Sequence, residues 1–322
     1  MTTAPIADRY RAFAVREAAG SSATLHDWAL AVADDDQLLG LIGELPTGKQ
    51  QPNLVLAAAR LHGATPGDAD SLRHTLVDGW PAVRATVLAR STQTNEAARC
   101  AAILLGLQRI HRPIALLEVG ASAGLCLVPD HYSYAFSDGS RLDPGDGPGD
   151  LTIPIALGPG LRPPARMPQV VWRAGLDLNP LDPGDQADLA WLQTLVWPEH
   201  DERRERLTRA AALATRVGVQ VRRGDLLVDL PALAAEAPPA ATLVVVHTAV
   251  LAYLTEKQRA AAVELVTRAR ARRLSFVARG VDPTVPPIGA PLTPDTHFVA
   301  ALDGTAYALG NGHGDRLTPV HP

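Results

Sequence analysis

The segment Leu117-Glu118-Val119-Gly120-Ala121-Ser122-Ala123-Gly124 closes an apolar run with an acid and a glycine-rich turn. Two chemistries use that arrangement. In one, glycines let backbone amides approach a nucleotide-like ligand at the carboxyl end of the first strand of a doubly wound sheet, and Glu118 accepts a hydrogen bond from the ligand's amino group. In the other, Gly120-Ala121-Ser122-Ala123-Gly124 fits G-x-S-x-G, the strand-to-helix elbow that exposes a nucleophilic serine. A serine hydrolase also needs an acid and then a histidine downstream; Asp295 with His313, or Asp225 with His297, have that order. Three more ionisable residues end apolar runs: Asp177 in Gly175-Leu176-Asp177-Leu178-Asn179-Pro180, Asp225 in Arg223-Gly224-Asp225-Leu226, and His247 in Val244-Val245-Val246-His247-Thr248. An ordinary histidine titrates near neutrality, so His247 is the candidate general base.

The elements that must position these residues change character along the chain. Residues 1–112 read as amphipathic helices, over 25–45, 53–62, 71–77, 83–90 and 94–110, with Pro52 and Pro81 near helix starts and Gly63 at a stop. From Pro113 the pattern is strand and helix in alternation. Ile114 to Val119 is a short run, apolar except for Glu118, of the kind that fills a buried parallel strand. Tyr132 to Leu142 reads as a hairpin around Asp138-Gly139, inside a Pro/Gly-rich insertion over about 129–168 that we expect to be a lid or loop, with one more strand at Leu151 to Leu157. Strands are then expected at 169–178, 219–223, 242–247 and 274–279. Helices are expected at 185–216, interrupted at Trp197-Pro198, near Leu230, and at 255–273. A closing hairpin turns on Asp303-Gly304. The predicted fold is α/β: a Rossmann-like, mostly parallel sheet over 113–322 with a C-terminal antiparallel hairpin, preceded by a helical N-terminal domain or cap over 1–112. The helical lead-in disfavours the serine nucleophile, which hydrolase folds place after several strands.

Composition narrows the function classes. The chain has 322 residues, 47% hydrophobic and 20% charged, with mean hydropathy +0.03, as a globular chain should. The longest nearly unbroken apolar stretch, Ala241 to Leu254, is too short to span a bilayer and contains His247. No secretory signal is visible in residues 1–16, so a cytoplasmic location is expected. A formal net charge of −4 gives no field to gather nucleic acid or an anionic membrane. Cys100 and Cys126 read as buried thiols. The ten histidines show no H-E-x-x-H, so no metal site is expected. Asp177, Asn179, Asp182 and Asp185 fit turns better than a calcium loop, with Leu181 at an expected ligand position. Arg203, Arg204, Arg206 and Arg209, interleaved with Glu202 and Glu205, read as a solvated helix face.

Glu118-Val119-Gly120-Ala121-Ser122-Ala123-Gly124-Leu125, then Gly175 to Asp182, then Val196-Trp197-Pro198-Glu199 with Arg203 and Leu207, resemble the bacterial domain-of-unknown-function family 2332 over most of the chain. That family implies a fold and no reaction, and this chain has Cys126 where the family's loop carries asparagine. More distantly, the chain resembles class I S-adenosylmethionine-dependent methyltransferases, with Ser122 at a loop position that is often glycine. That resemblance implies a cofactor site of Glu118, Gly120, Ala121, Ser122, Gly124, Asp177, Leu178, Asp225 and Leu226. Asp177 would take the ribose hydroxyls, Asp225 the adenine, and His247 would lie near the reacting methyl, with Tyr132 and Trp197 walling a pocket for a small-molecule acceptor. A non-catalytic ligand-binding or regulatory module on the same fold, and a serine hydrolase using Ser122, are the alternatives.

Overall fold

A computed structural model of the chain describes residues 4–320. They form two compact units: the chain up to Thr94 joined by Gln186–Glu205, and Asn95–Asp185 joined by the chain from Arg206 onward. The first is helical, with α1 (Ala4–Phe13), α2 (Ala23–Ala33), α3 (Asp36–Gly43), α4 (Pro52–Leu61), α5 (Ala69–Asp78) and α6 (Trp80–Ala89). Ser22, Asp35 and Asp68 cap α2, α3 and α5 by accepting hydrogen bonds from first-turn amides. The Asp35 cap splits the single helix expected over 25–45. The segment Gln186–Glu205 is sewn into this unit by its own polar contacts. Arg60 Nη1 donates to the carbonyls of Thr194 and Val196 at 2.8 and 2.7 Å, Trp197 Nε1 to Asn53 at 3.1 Å, and the Thr24 amide to Glu199 at 2.8 Å.

The helical domain therefore ends earlier than the pattern at 112 indicates. The next helix, α7 (Cys100–Leu107), belongs to the second unit and lies against its sheet. Contact there is close enough that a Cβ at Gly106 would meet Leu274 Cδ1 at 2.5 Å, while the Tyr307 hydroxyl donates to the Ala102 carbonyl at 2.7 Å.

The second unit is α/β. Its strands are β1 (Ile114–Val119), β2 (Ser133–Phe136), β3 (Arg141–Leu142), β4 (Thr152–Leu157), β5 (Val170–Asp177), β6 (Val221–Arg223), β7 (Thr242–Thr248), β8 (Arg272–Ala278), β9 (Phe298–Leu302), β10 (Thr305–Gly310) and β11 (Arg316–Thr318). Among the described residues they form one mixed, mostly parallel sheet in the order β3-β2-β4-β11-β10-β9-β8-β7-β1-β5-β6. The segment β6-β5-β1-β7-β8 is all parallel, with β1 between β5 and β7. Every residue of β1 is buried, as a central strand covered on both faces must be. From β9 to β11 the pairing is antiparallel, and Asp303 and Gly304 take φ of 52° and 82° in the expected tight turn.

Helices α8 (Gln186–Leu195), α9 (Asp201–Val217), α10 (Leu226–Ala234) and α11 (Glu256–Arg268) complete the chain. One sheet face is closed by α10 and α11 over Leu117, Val119, Val245 and Leu176. Three details depart from the sequence pattern. The 129–168 insertion extends the sheet rather than forming a lid, because β2 and β4 pair in parallel and β4 pairs onward with β11. Helix α11 stops at Arg268; Arg270 is left-handed at φ 55°, which releases Arg272 and Arg273 into β8. Arg206 is buried against Glu96, with Nε and Nη2 donating to its two oxygens at 2.7 and 3.1 Å, so α9 is not solvated all along its basic side.

The 279–297 loop after β8 covers the sheet where no helix does, packing Val281, Val285 and Ile288 on Val277, Val299 and Leu309. It is held by a buried ion pair, Arg273 Nη1 to Asp282 Oδ2 at 2.6 Å, with side chains 6% and 0% exposed. The Ser275 hydroxyl donates to the same carboxylate at 2.8 Å, and the Arg273 charge and these donors hold Asp282 down at about 2. Replacing Arg273 by Met leaves that carboxylate buried without its cation, and urea unfolding should show a loss of about 3–5 kcal/mol. A loss under about 1 kcal/mol would make the pair no better than a surface bridge. Because the folded pKa of Asp282 is depressed, its stabilisation is present above about pH 4 and lost as pH falls toward 2.

Candidate functional site

The chain runs from β1 to β5 on one side and, after β6, crosses to β7 on the other, so the strand order reverses at β1. In open α/β sheets ligands bind at the carboxyl ends of the strands at such a reversal. Glu118, Asp177, Asp225 and His247 all lie there, at or just beyond the ends of β1, β5, β6 and β7.

The glycine loop is fixed by its neighbours. Gly120, Ser122 and Gly124 have φ of 72°, 51° and 72°. The Gly120 and Ala121 amides donate to the Leu176 carbonyl at 2.8 and 3.3 Å, and the Ser122 amide donates to Asp177 Oδ2 at 2.8 Å. Asn95 clamps the far side: its Oδ1 accepts from the Ala123 amide at 3.0 Å and its Nδ2 donates to Ser122 Oγ at 2.8 Å. The amides of 120–123 thus all have protein acceptors, and the expectation that they would reach a ligand gives way to a loop whose hydrogen bonds are already made. The glycines answer to packing as well as to φ: a Cβ at Gly120 would meet Val250 at 2.5 Å, and one at Gly124 would meet Val219 at 2.5 Å. Ser122 is buried with Asn95 as its side-chain partner. Among the described residues no histidine is hydrogen-bonded to it; its Oγ accepts from Asn95 where the elbow would need a base.

Glu118 is different. It is 3% exposed, and its Oε2 meets no hydrogen-bond partner among the described residues. Burial, then the neighbouring Cys126 and Asp177, raise its pKa well above the usual carboxylate value, against a smaller opposing pull from Arg99. Arg99, in a short turn over Ala97–Arg99, is buried; its Nε donates to the Gly312 carbonyl at 2.9 Å and its Nη1 to Thr248 Oγ1 at 3.5 Å.

The remaining acids are partly engaged. Asp177 Oδ1 accepts from the Asn179 amide at 2.7 Å. Asp225 is exposed and caps α10, its Oδ1 accepting from the Leu227 amide at 2.8 Å. Each carboxylate keeps acceptor capacity beyond these bonds. Leu226 is buried in the α10 core, whereas Leu178 is 69% exposed, as are Val228 at 70% and Tyr253 at 76%, all following strands at this edge of the sheet.

His247 does not join this group. It pairs in register with Val119, and Glu118 with Val246, so alternation sends the histidine and the glutamate to opposite faces of the sheet. His247 lines a small cavity with Val119, Leu226, Leu230, Leu251 and Val266. Arg273 Nη1 lies 3.1 Å from its Nε2. Arginine only donates, so Nε2 is the acceptor and the proton sits on Nδ1, which is buried and has no partner. Burial and the Arg273 charge lower its pKa to about 3. The general-base role expected for it loses both its free lone pair and its basicity. Tyr132 is wholly buried, its hydroxyl donating to the Leu125 carbonyl at 2.8 Å, and Trp197 belongs to the helical unit. Sequence reading missed Asn95 and Arg99, whose one local signal was the polar Thr94-Asn95-Glu96 ahead of an apolar helix.

Fold and edge together define an α/β domain with a mostly parallel sheet that carries Glu118, Asp177 and Asp225 at or just beyond the carboxyl ends of its strands. The chain matches the family of uncharacterized proteins conserved in bacteria, domain-of-unknown-function family 2332, over residues 7–318, and it belongs to that family. No curated protein matches it. No helix among the described residues is long and apolar enough to cross a membrane.

Two outcomes follow from the buried groups. Burial makes Glu118 harder to ionise in the folded chain than in the unfolded one, so it lowers stability progressively as pH rises past about 4.5. Glu118→Gln should raise the melting temperature at pH 7.5 by a few degrees, with the gain vanishing near pH 4; equal melting at both pH values would show the carboxylate to be solvated. His247 has a depressed folded pKa, so its contribution is present above about pH 6.5 and lost toward pH 3, by about 1.4 kcal/mol per pH unit. Nitrogen-15 NMR should find it neutral, with its proton on Nδ1, from pH 5 to 8; an imidazolium signal at pH 5.5 would contradict the arrangement.

Proposed function

We propose that the carboxyl edge of the sheet binds S-adenosylmethionine and that the protein transfers the methyl group to a small-molecule acceptor. The observation that carries this reading is Glu118: a buried carboxyl with an unpartnered oxygen, at the end of the central strand and directly before the 120–124 loop. An orphaned buried acceptor is costly unless something pairs with it, and an ammonium group would. The other residues fit the same ligand. Asp177 retains acceptor capacity for ribose hydroxyls, Asp225 for the adenine amino group, and exposed Leu178 with the apolar edge of α10 offers a surface for a flat base. S-adenosylmethionine, when bound, supplies a methyl group on a sulfonium, which is already a good leaving group. This chain's residues then have to anchor, align and exclude water. With His247 Nε2 engaged by Arg273, the acceptor must arrive nucleophilic or lose its proton elsewhere. That same engagement favours the second reading, a module that binds the ligand without turnover.

Calorimetric titration with S-adenosylmethionine and S-adenosylhomocysteine tests the reading directly. The parent protein should bind both. Asp177→Ala and Asp225→Ala should each weaken binding at least about tenfold, roughly 1.4 kcal/mol. Asp225→Ala is the cleaner variant, because Asp225 takes no part in holding the loop. Failure of folded parent protein to bind either ligand would overturn the proposal, and binding with no methyl transfer across an acceptor screen would establish the second reading.

A further inference from the structure

A carboxyl group closed off from water, with an oxygen that receives no hydrogen bond, is more stable protonated than charged. Glu118 meets that description, and the groups facing it do not reverse it. The Cys126 thiol comes from the turn Leu125–Leu127, and the Asp177 carboxylate from the end of β5 adds like charge. Among the described residues the cation facing it is Arg99, which comes from the Ala97–Arg99 turn and gives its Nε to Gly312 and its Nη1 to Thr248. A ligand bearing an ammonium group changes the balance, because it brings both a positive charge and donors to the orphaned oxygen.

We propose that Glu118 holds a proton while the site is empty and gives it to solvent when a ligand's ammonium group docks against it, so that binding and proton release are one event. The inference rests on the functional reading above and adds how that site discriminates. The balance is simple: a neutral carboxylic acid and an ammonium ion become a carboxylate–ammonium pair and one proton in bulk water. No covalent bond other than the O–H is broken. Linkage then requires affinity for ammonium-bearing ligands to rise with pH, by up to tenfold per pH unit while Glu118 is still protonated in the empty site. Ligands lacking the ammonium gain nothing from that rise. The carboxyl would thus select against nucleosides and thioethers that share the rest of the ligand's shape.

The test is calorimetry at about pH 6.5, where an α-amino group is still an ammonium, in two buffers of very different ionisation heat, phosphate and imidazole. The probes are S-adenosylhomocysteine and 5′-methylthioadenosine, which has the same nucleoside thioether and no amino-acid end. For the parent protein, the S-adenosylhomocysteine enthalpy should differ between buffers by an amount equal to release of up to one proton, while that of methylthioadenosine should not. In Glu118→Gln the buffer difference should disappear, and S-adenosylhomocysteine should bind at least about tenfold more weakly. The comparison of the two probes on parent protein stands even if the variant folds poorly. Measurable binding of S-adenosylhomocysteine with a buffer-independent enthalpy would overturn proton release and leave the functional reading intact. No binding of S-adenosylhomocysteine would overturn both.

Discussion

The Asp177 carboxylate accepting the Ser122 amide is the bond on which the site depends. It ties the turn leaving β1 to the end of β5, and with the Leu176 carbonyl taking two more amides it leaves the 120–124 loop little freedom. A non-glycine residue held at φ 51° is strained and persists only where its surroundings over-determine it. Here Asp177 holds one side of Ser122 and Asn95 the other. Those bonds are all made within the protein, whereas Glu118 Oε2, on the same strand end, meets no hydrogen-bond partner among the described residues.

The two faces of the sheet spend their buried charge in opposite ways. On the α10–α11 side, Arg273 brings together His247, Asp282 and Thr284, and Ser275 adds a further donor to Asp282. Nearly every group in that network is satisfied, and its product is a fixed loop over 279–297. On the other side, Glu118 is buried at a cost that its neighbours raise rather than relieve. Satisfied networks stabilise; an unsatisfied acid does the reverse, and is the expected signature of a site built for something not contributed by the chain. That contrast separates Glu118 from His247, although both are ionisable, buried and at strand ends.

Most of the fold was readable because it is local. The period change at Pro113, the largely apolar run of β1 with Glu118 near its end, the Asp303-Gly304 turn and the Thr255 cap of α11 are short-range patterns with direct physical causes. What was hidden depends on long-range pairing. Three-residue β11 carries no pattern of its own, and it is what joins the 133–157 strands to the main sheet. Arg272 and Arg273 looked like basic residues at a helix end, where the dipole favours them, yet left-handed Arg270 ends the helix and Asp303 receives them in β8. The candidate site divides the same way. The acids at the ends of β1, β5 and β6 were visible in order, whereas the face to which each side chain turns depends on register, and Asn95 acts across 27 residues on Ser122.

A single face assignment therefore reorganises the chemistry. If His247 and Glu118 shared a face, the base and the anchor would converge on one ligand and the edge would resemble a proton-transfer site. With the register as it is, the histidine Nδ1 is buried without a partner on the Val119 face, and the acid lies on the opposite face beside the loop. A site with one anchoring acid, two acids retaining acceptor capacity and a rigid turn is suited to gripping a ligand whose own electronics drive the reaction. The proposed transfer from a sulfonium would make that demand, since it asks for alignment more than for proton abstraction.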